Sequence, residues 1–126
     1  MYQICLVGIG GFFGAIARYA MAGLVHLLTD SVSFPYGTLV VNVIGCFLMG
    51  ILSHLMEYHS GMTAEVRLLL MIGFLGSFTT FSTFSNETMN LMNSSFFMGA
   101  VNIAAHVFLG MTALMLGRFL TITLWR

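Results

Sequence analysis

Long uninterrupted runs of apolar residues, separated by short polar stretches, dominate the pattern of this chain. Four runs are long enough to cross a bilayer, which takes roughly 20 apolar residues in a helix. They cover about residues 4–28, 35–56, 66–92 and 96–120. Backbone in lipid must satisfy its own hydrogen bonds, and these runs are continuous rather than alternating, so they predict helices. We expect an all-α integral membrane protein with one transmembrane domain over residues 1–126.

The composition strengthens this expectation and limits the possible partners. Apolar residues make up 59% of the chain and charged residues only 6%, against about 25% charged in soluble domains. The net charge is zero, so no charge excess points to nucleic acid, and we expect no such partner. The first apolar run is longer than the roughly 7–15 residues of a signal peptide core, which favours a mature span.

The third apolar run carries the densest group of polar residues, and this group predicts a break in the helix. Glycine and β-branched threonine fall together between Gly76 and Thr80, and both residue types weaken a helix. A break at mid-membrane frees carbonyl and N–H groups, which need partners in protein, water or ions. The alternative is an unbroken helix whose Ser and Thr hydroxyls bond back to the preceding turn.

A pair of phenylalanines follows the predicted break. On a helix, Phe81, Phe84, Ser82 and Ser85 fall within an arc of roughly 160°, so two aromatic rings share a face with two hydroxyls. Ring edges carry partial positive charge, and ring edges with hydroxyl donors could solvate a small anion. Ordinary packing of phenylalanine in a membrane helix is the alternative.

Other polar residues inside the apolar runs are functional candidates because they are costly in lipid. Asn42 offers two donors to an anion, or an interhelical hydrogen bond worth about 1 kcal/mol. Arg18 could set a positive potential at a pore mouth, or extend to the lipid head groups. His106 could line a pathway beside Asn102. No nucleophile–base pair or metal-ligand spacing is visible, so we do not expect an enzyme.

The distribution of arginine bears on orientation and assembly. Arg67 and Arg126 lie on the side of both termini, and the two opposite loops contain no Lys or Arg. This small bias favours cytoplasmic termini but permits insertion both ways, which keeps dual topology as a hypothesis. One chain offers little polar lining for a pore, so we expect a homo-oligomer. Small residues four apart allow close helix approach: Gly10/Gly14, Cys46/Gly50, Gly73/Ser77, Ala100/Ala104 and Ala113/Gly117.

Three motifs resemble the Fluc (CrcB) family of bacterial fluoride channels. They are Gly10-Gly11-x-x-Gly14-x-x-x-Arg18, then Gly37-Thr38-Leu39-Val40-Val41-Asn42, and finally Gly73-Phe74-Leu75-Gly76-Ser77-Phe78-Thr79-Thr80-Phe81-Ser82-Thr83-Phe84-Ser85-x-Glu87. The resemblance covers the whole chain in length and in the arrangement of spans. The Thr-Phe-Ser-Thr-Phe-Ser segment after a glycine-rich break is its most specific part.

The resemblance implies a dual-topology antiparallel homodimer with two pores, each using residues of both subunits. Such a multi-pass protein of the bacterial inner membrane would export cytoplasmic fluoride passively and protect the cell from fluoride toxicity. It implies fluoride-pore roles for Asn42, Phe81, Ser82, Thr83, Phe84, Ser85 and His106, and a vestibule role for Arg18. It also implies a central Na⁺ at the dimer interface, held by backbone carbonyls of Gly76 and Thr79 from both chains.

One departure from the family pattern and three rival interpretations remain. Where the fourth span of the family adds hydroxyls to a polar track, this chain has Gly110 and Leu114, which leaves the detailed path open. A proton-coupled drug exporter would need a membrane-embedded carboxylate, and Glu87 is the candidate in this chain. A structural membrane protein would not need the polar cluster, and a membrane enzyme would need a nucleophile with its base.

Overall fold

A computed structural model describes residues 1–30, 33–58 and 63–124, so Arg126 lies outside the described residues. The described residues form helices and no strand: α1 Tyr2–Thr29, α2 Tyr36–Tyr58, α3 over residues 64–78, α4 Phe81–Ser94 and α5 Phe96–Leu124. Four stretches are long and apolar enough to span a membrane, with α3 and α4 together forming the third. The sequence-based prediction of an all-helical chain with four long apolar helices is confirmed.

The first half of the third span, α3, changes its winding along its length. It begins after Thr63, whose side-chain oxygen accepts a hydrogen bond from the Val66 N–H at 3.5 Å. Residues Arg67–Leu75 then adopt the wider π-helical geometry, and one α-helical turn, Gly76–Phe78, completes α3. Short π-helical turns are frequently found at functional sites, and this longer one ends directly before the break.

The break itself consists of Thr79 and Thr80, which have extended backbones with φ/ψ of −78°/157° and −148°/109°. The predicted interval of 76–80 is compatible with this position. The bonding pattern of the alternative also occurs, because the Thr79 hydroxyl donates to Leu75 O at 2.9 Å. Ser77 Oγ lies 2.9 Å from Gly73 O of its own helix and 2.8 Å from Gly11 O of α1. Hydroxyls therefore satisfy carbonyls of the last turn of α3 while the chain leaves the helix.

Close helix contacts at glycine join α1 to α3 and α5 to α2. A Cβ added at Gly14 of α1 would overlap the Phe74 carbonyl of α3, and one at Gly117 of α5 would overlap the Phe47 carbonyl of α2. Such contacts need small residues at the crossing point. Two of the predicted small residues, Ala100 and Ala104, instead face outward.

Polar contacts tie the helices together at the end of the bundle that carries both termini. The Tyr2 hydroxyl donates to Glu65 at 2.8 Å, and Arg118 forms an ion pair with Glu57 at 2.8 Å. The buried core between the helices is small, while large apolar side chains such as Phe108 point outward, 72% exposed. An outward-facing apolar surface of this kind suits a lipid environment.

Candidate functional site

The side chain of Asn42 on α2 is bonded to the break in the third span. Its Nδ2 donates to Thr80 O at 3.2 Å, and the Thr80 N–H donates to its Oδ1 at 2.9 Å. The amide thus pairs with both peptide groups of Thr80, using one of its two N–H groups. In a continuous helix the Thr80 N–H would bond to Gly76 O, so the Gly76 carbonyl has lost that helical partner.

A cavity of about 350 Å³ opens beside this pair. It brings together four residues that the sequence singled out separately, namely Asn42, Phe81, Phe84 and His106. The remaining walls, mostly apolar, are Gly45, Cys46, Met49, Thr79, Thr80, Val107 and Leu114. The cavity therefore joins α2, the break, α4 and α5, which no local sequence pattern could have shown.

Neighbouring rings, inclined to one another, form one wall of this cavity. The ring centroids of Phe81 and Phe84 are 5.6 Å apart, with the ring planes inclined at 50°. The Phe84 ring lies 4.4 Å from the His106 ring, again tilted, at 45°. Phe81 is 79% exposed in the single chain, whereas Phe84 is half-buried. The aromatic face therefore begins inside the bundle and continues onto its outer surface.

A second cavity, of about 280 Å³, contains Arg18. Thr38, Thr80 and Thr83 share its wall with Arg18, and the remaining lining is Ala15, Tyr19, Ala22 and Val41. A guanidinium is suited to an anion, because charge-assisted hydrogen bonds are the stronger ones. Thr80 borders both cavities, so the break separates the arginine side from the aromatic side.

The other predicted site residues face the outer surface of the chain. Ser82 and Ser85 are exposed, and the Ser85 hydroxyl donates to Phe81 O at 2.9 Å. Gly76 is exposed as well. Within the described residues, Ser82 and Ser85 line neither cavity. The single chain thus places part of the predicted site inside and part on its surface.

The predicted departure in the fourth span has a structural counterpart. Leu114 lines the aromatic cavity, and a Cβ at Gly110 would lie 3.4 Å from the Cys46 Sγ. Cys46 of α2 therefore lies against α5 at Gly110. The sequence identified Cys46 only as a small residue four positions from Gly50, and nothing in its local sequence distinguishes that position from a cavity wall.

A buried polar chain connects α4 to α5 behind the aromatic wall. The Asn102 Nδ2 donates to the Thr88 hydroxyl at 2.8 Å, and that hydroxyl donates to Phe84 O at 2.7 Å. Asn102 is fully buried, and its backbone carbonyl oxygen lies 3.0 Å from His106 Nδ1. The sequence identified Asn102 and His106 as candidate site residues but not Thr88. The available signal was that a threonine can donate its hydroxyl to the carbonyl four residues earlier, which here belongs to Phe84.

The carboxyl group of Glu87, on α4, accepts a hydrogen bond from α2. The Thr38 hydroxyl donates to Glu87 Oε1 at 2.7 Å. Glu87 also borders a cleft of about 530 Å³ with His26, Tyr36 and Asn90. It lines neither the aromatic nor the arginine cavity among the described residues.

Backbone carbonyls are the groups in this site that suit a hard cation. The described residues contain no cluster of three or more His, Cys, Asp or Glu side chains. At the break, the Thr80 N–H is bonded to Asn42 instead of Gly76 O, and Thr79 is extended. Carbonyl oxygens freed in this way are ligands for Na⁺ in membrane proteins with broken helices, so the carbonyls of Gly76 and Thr79 fit such an ion.

The fold and the site together define a small multi-pass membrane protein with an interrupted third span, a mostly apolar aromatic cavity on one side of the interruption and a cavity containing Arg18 on the other. Residues 5–118 match the family described as CrcB-like protein, Camphor Resistance (CrcB), and the chain belongs to this family. The resemblance seen in the sequence is therefore confirmed.

Curated relatives match almost the whole chain. It is 46% identical to "Fluoride-specific ion channel FluC 1" of Methanosarcina acetivorans over 125 residues, covering 98% of this chain and 94% of that protein. It is 45% identical to "Fluoride-specific ion channel FluC" of Dehalococcoides mccartyi, covering 95% and 92%. A Geobacter sulfurreducens protein of the same name is 46% identical, covering 85% and 86%. These relatives are named as ion channels, which confirms that the chain is not an enzyme.

Proposed function

We propose that this protein is a fluoride channel that lets cytoplasmic fluoride leave the cell passively and so protects against fluoride toxicity. The observation that carries the proposal is the cavity where Asn42, Phe81, Phe84 and His106 meet at the break. This cavity lies in a chain that is 46% identical to a fluoride-specific ion channel. The proposal places the protein in the bacterial inner membrane, as one transmembrane domain over residues 1–126.

The chemistry of the cavity walls is consistent with a small anion. Arg18 and the hydroxyl of Thr83 form a polar entrance on one side of Thr80. The amide of Asn42 and the ring edges of Phe81 and Phe84 offer donors and partial positive charge on the other. Selectivity in such a path comes from pore size and donor geometry. A negative-inside potential drives an anion outward by about 2.3 kcal/mol per 100 mV, so no coupling to protons or ATP is needed.

Several of the proposed site residues lie on the surface of the single chain, which supports a dimer as the functional form. Phe81 is 79% exposed, and Ser82 and Ser85 are also on the surface of the single chain. We propose an antiparallel, dual-topology homodimer in which these side chains close two pores, each with rings from both subunits. Ser82, Thr83 and Ser85 then continue the polar path beyond the rings.

The proposal includes a structural Na⁺ at the centre of the dimer interface. Its ligands are the backbone carbonyls of Gly76 and Thr79 from both chains. The exposure of Gly76 and the loss of its helical partner to Asn42 support this assignment. When bound, the ion would supply positive charge that holds these four carbonyl groups together.

A flux measurement tests the function directly. Purified protein is reconstituted into liposomes loaded with fluoride, and a membrane potential is imposed with a potassium gradient and valinomycin. A fluoride electrode should record efflux well above that from empty vesicles. Efflux equal to that from empty vesicles contradicts the channel. Proton uptake that depends on an added drug would instead support the exporter, whose required carboxylate would be Glu87.

A further inference from the structure

Two clefts share the end of the bundle opposite the termini, where α1 ends, α2 begins and α4 turns into α5. The polar cleft, of about 530 Å³, is lined among others by His26, Thr29, Glu87 and Asn90. The apolar cleft, of about 520 Å³, is lined among others by Leu39, Met98, Val101 and Ala105. Phe34, Tyr36, Leu91 and Ser94 border both clefts. The two clefts therefore form one groove with a polar part and an apolar part.

The groove runs from the surface of the membrane toward its interior. Glu87 accepts a hydrogen bond from Thr38, the third residue of α2, so its carboxyl lies level with the first turn of that helix. Ala105 comes nine residues after Phe96, where α5 begins, which is about 13 Å along the helix. The apolar part thus extends inward from the polar part, as the chains of a membrane lipid extend inward from its head group.

Several side chains of the polar cleft can only accept hydrogen bonds. The Thr29 hydroxyl donates its proton to Val25 O at 2.8 Å, and the Ser94 hydroxyl donates its proton to Leu91 O at 2.9 Å. Both oxygens are left with lone pairs alone, and an ionised carboxyl such as that of Glu87 has no proton to donate. An ammonium group carries three N–H donors and no acceptor, so it complements this set.

The negative charge of Glu87 has no positive partner among the described residues. The ion pair found there joins Arg118 to Glu57, and neither Lys nor Arg lines either cleft. Glu87 Oε2 is buried without a hydrogen-bond partner in residues 1–30, 33–58 and 63–124. A carboxylate within a membrane span needs such a partner. The neighbouring rings of Phe34 and Tyr36, with centroids 4.9 Å apart, also attract a cation to this part of the groove.

The groove lies on the side of α4 away from the surface assigned to the partner subunit. At about 100° per residue, the outward-facing Phe81, Ser82 and Ser85 fall within an arc of roughly 100°. The α4 residues that line the groove, from Glu87 to Ser94, are centred about 180° from the middle of that arc. The proposed dimer interface therefore leaves this wall of the groove open to lipid.

We propose that the groove binds one phospholipid per chain, with a primary ammonium in its head group, as in phosphatidylethanolamine. The ammonium pairs with Glu87 beside the rings of Phe34 and Tyr36, and an acyl chain follows the apolar cleft toward Ala105. The bound lipid supplies the missing positive charge and joins α2 to α4. The site is separate from the proposed fluoride path, because Glu87 lines neither the aromatic nor the arginine cavity within the described part of the chain.

Native mass spectrometry of the purified protein tests the inference, with equimolar palmitoyl-oleoyl phosphatidylethanolamine, phosphatidylcholine and phosphatidylglycerol added in mild detergent. The first lipid retained per chain should be the ethanolamine lipid, about tenfold over the choline lipid, because charge-assisted N–H bonds are the strong ones. The glycerol lipid, which is anionic, should be retained least. E87Q should abolish the preference. E65Q, altered at an exposed carboxyl near the termini, is the matched control and should keep it.

The apolar part of the groove is tested by filling it. V101W places a large ring in the apolar cleft and should remove the retained lipid. Ile103 is a similar exposed residue of the same helix that lines neither cleft, so I103W should retain the lipid. Lipid kept by V101W at the parent level overturns the inference.

A second measurement uses only the wild-type protein and so does not depend on how a variant folds. Methylating the ethanolamine nitrogen once, twice and three times removes its N–H donors one by one while the charge stays, and retention should fall at each step. Equal retention of all four lipids overturns the inference, as does a preference for ethanolamine that persists in E87Q. Stronger retention of the anionic lipid overturns it as well.

Discussion

At the scale of single residues, the most consequential contact is the pairing of Asn42 with Thr80. Both peptide groups of Thr80 are satisfied by one side chain from another helix. In an environment without water, peptide groups that have left a helix need such partners. Asn42 therefore has a structural role at the break, and its second N–H group is the part of the side chain that the proposed function assigns to fluoride.

Replacing Asn42 by alanine should destabilise the fold as well as remove a donor. Two peptide groups of Thr80 lose their partner, and each unsatisfied buried group costs about 1–3 kcal/mol. We expect N42A to lower the free energy of unfolding by about 2 kcal/mol or more, measured by denaturant titration in detergent micelles. N86A is the matched control because Asn86 is exposed on α4. Equal losses in both variants would show that the pair does not hold the break.

The aromatic wall gives a second prediction at this scale. Isoleucine at position 81 or 84 keeps the apolar volume but removes the ring edges that the proposed function uses. Fluoride efflux from liposomes should fall by about tenfold or more in F81I and F84I, a loss of about 1.4 kcal/mol of stabilisation for the anion. Phe119, exposed on α5, provides the control F119I, which should conduct normally. Parent rates in both F81I and F84I, with intact folding, would show that ring edges do not act on the anion.

At the scale of elements, the sequence predicts the helices and the interval of the break but not their internal geometry. Apolar run length is enough to locate spans, and glycine with threonine marks 76–80. The π-helical winding of Arg67–Leu75 leaves no signal, because a run of leucines is equally apolar in either geometry. The aromatic cavity also could not be predicted, since its residues come from α2, α4 and α5 and meet only after packing.

The contact of Gly14 with α3 can be tested by an alanine substitution, with Gly23 of the same helix as the control position. In G14A the new Cβ overlaps the Phe74 carbonyl, and overpacking of this kind costs about 1–3 kcal/mol. In G23A nothing lies within 4 Å of the new Cβ, so the variant should gain about 0.5–1 kcal/mol from higher helix propensity. Unfolding titrations in the same detergent compare the two. A gain in G14A would mean that α1 and α3 do not pack at this distance.

At the scale of the whole molecule, the single chain leaves its most distinctive surface uncovered. Ser82 and Gly76 face outward beside the break, whereas lipid would normally meet apolar side chains there. The charges give little direction to insertion, because the chain contains only four Lys and Arg residues in all. Both features support the proposed antiparallel pair of chains.

Cysteine labelling of sealed vesicles tests the proposed dual topology. Single cysteines at Thr63 and at Asn93 lie at opposite ends of the third span, in a background with Cys5→Ser and Cys46→Ala. A membrane-impermeant maleimide added outside should label part of each population, and permeabilised vesicles should label fully. Protection of one position together with complete external labelling of the other would mean a single orientation and would contradict the antiparallel dimer.

The bonding of the Asn42 side chain to the break also constrains the order in which the helices can insert into the membrane. Asn42 leaves the ribosome about 38 residues before Thr80, its partner in the pair. Two extended residues cannot rest in lipid with unmet peptide groups, so the second half of the third span has no stable place until α2 is beside it. The helices of this chain therefore insert in a required order, in which α2 must be in place before the second half of the third span.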